Sequence, residues 1–311
     1  MSSTLNPALK KLGLAPDDRV AIIHADDIGM CHASVTAYAD LVDVGLLSSA
    51  ATMVPCAWFP AVADYCRQHP DADMGVHLTL TSEWTNFRWG PISTRQAASG
   101  LIDDEGYFFR SSAGVQGSAS PAAVAVEWEA QIQRALAAGI EPTHFDTHML
   151  SAYYVPYLRA YSDLARQYKL PPMLLRQTPK FSWMELYRDP ANLSFAEQQV
   201  AALEAEGTPL VDYFYAMSLA WDDSVNRMDE AKQAFRDLQP GITHFVLHPA
   251  HDTPEIRAIA PDWRCRVSDF EIFSSRELQT FIQNEGVHII NYRALRDILR
   301  GEIQAASITG D

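Results

Sequence analysis

The feature that most constrains this chain is an alternation. Short apolar runs at Val20–His24, Leu47–Val54, Met74–Leu80, Thr143–Met149, Met173–Arg176, Leu210–Phe214, Thr243–His248 and Val287–Asn291 are separated by longer segments of helical period. A brief apolar run suits a strand covered on both faces, and strands spaced by helix-length segments pair in parallel through βαβ crossovers. Helices are predicted at His32–Val44, Ala122–Ala138, Tyr157–Tyr168, Met228–Leu238 and Ser275–Asn284, two of them followed by Gly139 and Gly286 where a helix C-terminus favours glycine. The predicted fold is therefore α/β: a single (β/α) barrel over residues 1–311, TIM-like and irregular, with seven or eight strands. An open, doubly wound sheet is the alternative that element counts leave standing. The stretch 81–120, rich in Gly, Ser and aromatic residues, is too long for an ordinary βα connection and is predicted to be an elaborated loop over the site.

Composition narrows the function. Lys and Arg number 24 against 39 Asp and Glu, a formal charge of −15 without any basic cluster, so nucleic acid is not an expected partner. Cys31, Cys56, Cys66 and Cys265 form no CxxC pair and are expected to be reduced and buried. The first eighteen residues lack an apolar stretch after Lys10-Lys11, and no apolar run approaches the length of a membrane span, so the expectation is a cytoplasmic protein with no membrane partner. The chain has no GxGxxG after a strand, no GxxxxGK[ST], no GxSxG and no HExxH, which removes the mechanical parts of nucleotide-binding and serine-hydrolase chemistry.

Four runs end in ionisable residues at what would be the C-terminal ends of parallel strands, the rim on which barrel enzymes build their sites. They give His24-Ala25-Asp26-Asp27-Ile28-Gly29, then Gly75-Val76-His77-Leu78-Thr79, His144-Phe145-Asp146-Thr147-His148, and the segment His244 to His251. Each has a plain structural explanation. Adjacent aspartates cap turns and helices, a histidine among apolar neighbours can be a satisfied core residue, and a polar strand end can face water. Taken together, one aspartate and two histidines from three strands make a three-ligand set with open positions, the His₂-carboxylate arrangement of hydrolytic zinc. The second aspartate is then a candidate base and His248 a candidate acid. Residues 144, 146 and 148 share one strand face, so Asp146 can orient a histidine or share its ion.

In this combination the sequence resembles the YdjC family of ChbG/HpnK-type carbohydrate deacetylases, through HADDIG, GLLSSAATMVP, MGVHLTLT, HFDTH, the LLR ending at Arg176, and HPAHDTPE. The resemblance implies an irregular (β/α) barrel that uses one divalent metal ion, zinc first and magnesium or another ion as alternatives, to remove an acetyl group from an N-acetylated sugar. It implies Asp27, His77 and His148 as metal ligands, Asp26 as catalytic base, His248 as general acid and Arg176 as the arginine that pairs with Asp26. It also suggests a homodimer. The chain departs from the family where Met149-Leu150 stand instead of a further histidine, and where Ile28 follows the aspartate pair in place of a bulkier aromatic residue. Trp84 and Trp89 are suited either to stack on a sugar ring or to pack the long loop. Rival readings are a barrel hydrolase of another amide or of a phosphoester, and a sugar-binding protein without activity.

Overall fold

A computed structural model describes residues 5–177 and 185–302. The strands are β1 (Arg19–Ile28), β2 (Ser49–Thr52), β3 (Met74–Leu78), β4 (Phe145–Thr147), β5 (Tyr213–Ala216), β6 (Gly241–Leu247) and β7 (His288–Ile289), and the ladder runs β4-β3-β2-β1-β6-β5 with β7 against the start of β1. Every named pairing is parallel. The run at 173–176 does not form a strand of its own. Leu175 within it bridges Val211, and Pro172 just before it bridges Phe145, which carries the ladder from β4 towards β5 and curls the sheet on itself. The architecture is the irregular (β/α) barrel expected, with seven strands among the described residues.

Alternation along β6 separates the two faces. Phe245 points to the outer layer, stacked on Phe235 at 4.5 Å and 5.9 Å from Phe273, and both of these sit on helices. Its neighbour His244 points inward, 4.6 Å from the ring of His24. Such an interior is unusual, because the inside of a parallel barrel is normally filled by Val, Ile and Leu. Here His24, His144, His244 and Tyr292 occupy it, all buried.

Helices α1 (His32–Val44), α2 (Pro121–Ala137), α3 (Val155–Tyr168) and α4 (Trp263–Phe273) cover the outside among others, and α1 ends at Gly45 with φ 80°, the left-handed cap that glycine adopts without a Cβ clash. The 81–120 segment is packed rather than loose. Arg88 gathers it by donating to Asp103, Glu105 and the carbonyl of Phe108, while Glu127 on α2 accepts from the backbone N–H groups of Ile92 and Ser93. No helix among the described residues is long and apolar enough to cross a membrane.

Candidate metal centre

The aspartate pair reaches the rim because β1 carries an extra residue. Strict pleating would send Asp26 and Asp27 to opposite faces. The register with β2 instead passes from Ala25↔Ala50 to Ile28↔Thr52, three steps on β1 against two on β2, and Asp27 takes φ 62°. This bulge with its left-handed turn brings both carboxylates to the mouth of the barrel. Left-handed backbone is costly for most side chains but less so for aspartate.

Three buried donors then converge. Asp27 Oδ1 lies 3.3 Å from His77 Nε2 and 3.1 Å from His148 Nδ1, and the two ring nitrogens are 3.3 Å apart. A tetrahedral ion with bonds of roughly 2.0–2.1 Å spaces its ligand atoms about 3.3 Å apart, so this triangle has the dimensions of one face of such a site. Asp27 Oδ1 is buried and has no hydrogen-bond partner among the described residues, so it is an acceptor that a cation would satisfy.

Each donor is fixed from behind. His77 Nδ1 is 2.8 Å from Asp146 Oδ1, and these residues are register partners on adjacent strands, so Asp146 orients the histidine across the ladder rather than the one two residues along. His148 Nε2 is 2.9 Å from Glu83 Oε1, and Arg266 Nη1 on α4 donates to Asp27 Oδ2 at 2.8 Å. Carboxylates on the far nitrogens of both histidines set the tautomers that aim lone pairs at a shared ion.

The electrostatics follow from the same contacts. Burial favours the neutral form of Asp27, but the charges of Arg266 and His148 outweigh it and hold the carboxyl well below the usual range. Burial also lowers His148, and Glu83 with Asp27 overcome it to raise the ring to about 9. Burial is overcome likewise at His77, which Asp146 and Asp26 lift well above the ordinary histidine value.

Asp26 and His248 stand beside the triangle. Asp26 Oδ2 is 3.8 Å from His77 Nε2 and 3.9 Å from His248 Nε2, and its other oxygen is 2.8 Å from His24 Nδ1. Each of the two side chains keeps a little solvent access, 14% for Asp26 and 13% for His248. His248 is anchored through its backbone N–H to Asp269, leaving Nδ1 buried with no partner among the described residues.

Of the candidates from sequence, Asp26, Asp27, His77, His148 and His248 come together, and Arg176 does not. Its guanidinium ion-pairs with Glu204 and Asp212, and no ion pair joins it to Asp26 among the described residues. The cause is that segment 173–176 pairs only at single bridges, with the backbone of Arg176 donating to Val211 next to Asp212. The partner of Asp26 is His24. Trp84 and Trp89 are 4% and 5% exposed, so they form a wall rather than an open platform. Arg266 lies over the Trp84 ring at 5.4 Å, and Trp89 donates to the carbonyl of Thr81 while its ring sits 6.4 Å from His148.

The sequence model of the YdjC-like protein family matches residues 20–284. A carbohydrate deacetylase of Thermus thermophilus is 33% identical over 94% of this chain and 98% of its own length. Another, from Thermoanaerobacter pseudethanolicus, is 24% identical over 88% and 98%. Among solved structures, a protein of Enterococcus faecalis described as a candidate cellobiose-phosphate cleavage protein superposes with a TM-score of 0.72 at 24% identity, covering 89% of this chain and 99% of the other, a likeness of fold.

Proposed function

The chain belongs to the YdjC-like protein family, and on that footing we propose that it is a divalent-metal-dependent carbohydrate deacetylase acting on an N-acetylated sugar. The observation that carries this reading is the triangle of Asp27, His77 and His148, with its edges of 3.1–3.3 Å and the orphaned Asp27 oxygen. The name shared by the relatives supplies the reaction class. Two nitrogens and one oxygen suit zinc, although other divalent ions accept the same donors.

When bound there, the ion would supply Lewis acidity that acidifies a water and polarises an acetamide carbonyl. The protein does the rest. Asp26 Oδ2, its other oxygen tied to His24, takes the proton of the attacking water, and His248 delivers a proton to the leaving nitrogen as the C–N bond breaks. Acetate and a free amine result. Asp146 and Glu83 keep the histidine lone pairs on target, and Arg266 holds one oxygen of Asp27 so that the other faces the ion.

Acetate release from N-acetylglucosamine oligomers tests the reading, alongside bound metal measured by elemental analysis. Asp26→Asn should keep its metal and lose about 10²- to 10⁴-fold in kcat. His77→Ala or His148→Ala should lose the metal itself. Full metal content in both histidine variants would overturn the ligand set, and undiminished acetate release by Asp26→Asn would overturn the base.

A further inference from the structure

Behind Asp26 an unbroken line of hydrogen bonds runs through the barrel to its opposite end. His24 Nδ1 is 2.8 Å from Asp26 Oδ1, and its Nε2 is 2.9 Å from His144 Nε2. His144 Nδ1 is 3.0 Å from Thr143 Oγ1, which is 2.9 Å from Asp73 Oδ1. Asp73 also accepts from the Ser49 hydroxyl and the backbone N–H of Arg293. It lines a cavity of about 670 Å³ together with Tyr38, Ser49, His69 and Asn291, residues from the N-terminal side of the barrel.

The fold holds this line in place at some cost. Gly75 in β3 lies against His144, and a Cβ there would come within 2.5–2.7 Å of three ring atoms, so glycine at that point makes room for the imidazole. On its other side the ring stacks on Tyr292 at 3.8 Å. An apolar filling would avoid burying these polar groups altogether.

We infer that His24, His144, Thr143 and Asp73 form an internal proton relay between Asp26 and the far-end cavity. The inference rests on the proposed role of Asp26 as base. Rotation of the protonated Asp26 carboxyl brings its O–H to the Oδ1 position facing His24, and the proton passes to His24 Nδ1 as His24 Nε2–H passes to His144 Nε2, His144 Nδ1–H to Thr143 Oγ1, and the threonine hydroxyl proton to Asp73 Oδ1. One proton leaves Asp26, one arrives on Asp73, and every carrier ends with the number it began with. Burial keeps His144 well below the ordinary histidine value and hence neutral, able to accept at one nitrogen while it donates at the other. Burial pushes the Asp73 carboxyl up, which suits a terminal proton acceptor. The relay lets the base shed its proton while substrate covers the rim.

Thr143→Val removes the hydroxyl in an isosteric side chain far from the rim, and Thr143→Ser restores it. The readouts are kcat and KM for acetate release, the kcat ratio in H₂O and D₂O, bound metal, the unfolding midpoint, and the nitrogen shifts of ¹⁵N-labelled histidine. We expect Thr143→Val to keep its metal and KM, to lose about tenfold or more in kcat, and to show a larger solvent isotope effect, with Thr143→Ser close to wild type. His144 should appear in the wild type as a neutral ring protonated on one nitrogen and hydrogen-bonded at both. Wild-type turnover in Thr143→Val, or an equal fall in both variants, would overturn the relay while leaving the deacetylase reading intact. Absence of acetate release from the wild type would overturn that reading instead. A charged His144 ring would refute the relay whatever the turnover.

Discussion

Replacing Arg266 by methionine would remove the charge that balances Asp27 while keeping most of the packing volume. The two groups are each 3% exposed and meet at 2.8 Å, so the metal-free variant is left with a buried carboxylate that has lost its guanidinium partner. Breaking a buried pair from one side costs about 3–5 kcal/mol. An unfolding entropy of about 2.1 cal/mol/K per residue over 311 residues gives about 0.65 kcal/mol/K, and the expected fall in Tm is about 5–8 °C. With the site loaded, the cation itself faces Asp27 and the loss should be roughly half, about 2 kcal/mol. Closing the cycle, the variant must then bind the ion more tightly by the difference, about thirtyfold for 2 kcal/mol. Thermal unfolding with and without chelator, beside a competition titration with a coloured metal indicator, measures all three quantities. Equal Tm losses in the two states, or weaker metal binding by Arg266→Met, would refute the charge argument.

Three further outcomes follow from the same geometry. Glu83→Gln should weaken metal binding by about 10- to 100-fold through the loss of the carboxylate behind His148, and an unchanged dissociation constant would show that Glu83 does not orient that ring. His244 is buried, and burial depresses it to about 3. The unfolded chain therefore takes up a proton near pH 6.5 that the folded protein refuses, and stability present above that pH should fall by about 2 to 3 kcal/mol by pH 4.5. Urea unfolding across that range should give a shallower slope for His244→Asn, and identical slopes would remove His244 as the cause. Gly75→Ala should destabilise the protein by about 1–3 kcal/mol by pressing on His144, and a wild-type urea midpoint would mean that the ring can move aside freely.

Much of the barrel was legible because its strands are buried on both faces and so read as continuous apolar runs, and the helix at His32–Val44 emerged with the bounds expected for it. The run Met173–Arg176 reads as apolar like the others, yet pairing decides whether such a run becomes a strand, and only Leu175 in it and Pro172 beside it form bridges among the described residues. Helix α4 escaped the reading for an instructive reason. The face it buries includes Arg266 and Asp269 beside Cys265, Val267 and Ile272, so the polar-outside rhythm that marks a surface helix is broken where the helix serves the site. Arg266 is 239 residues from the aspartate it holds, and nothing local announces it. Glu83 follows MGVHLTLT so closely that its position at the strand mouth was a usable clue. The pairing of His77 with Asp146 was hidden because cross-strand register is not written in either strand alone. His24 looked like the end of an apolar run, and only its neighbours across the barrel, His144 and His244, reveal it as part of a polar interior.

The bulge in β1 has a consequence for how such a chain can vary. Because β1 spends three steps where β2 spends two, pairing the strands flush takes the loss of one residue between 25 and 28, and that residue is Asp26 or Asp27 itself. Exchanging one side chain for another along this stretch alters the chemistry by degrees, whereas changing its length abolishes the pair of acids at once.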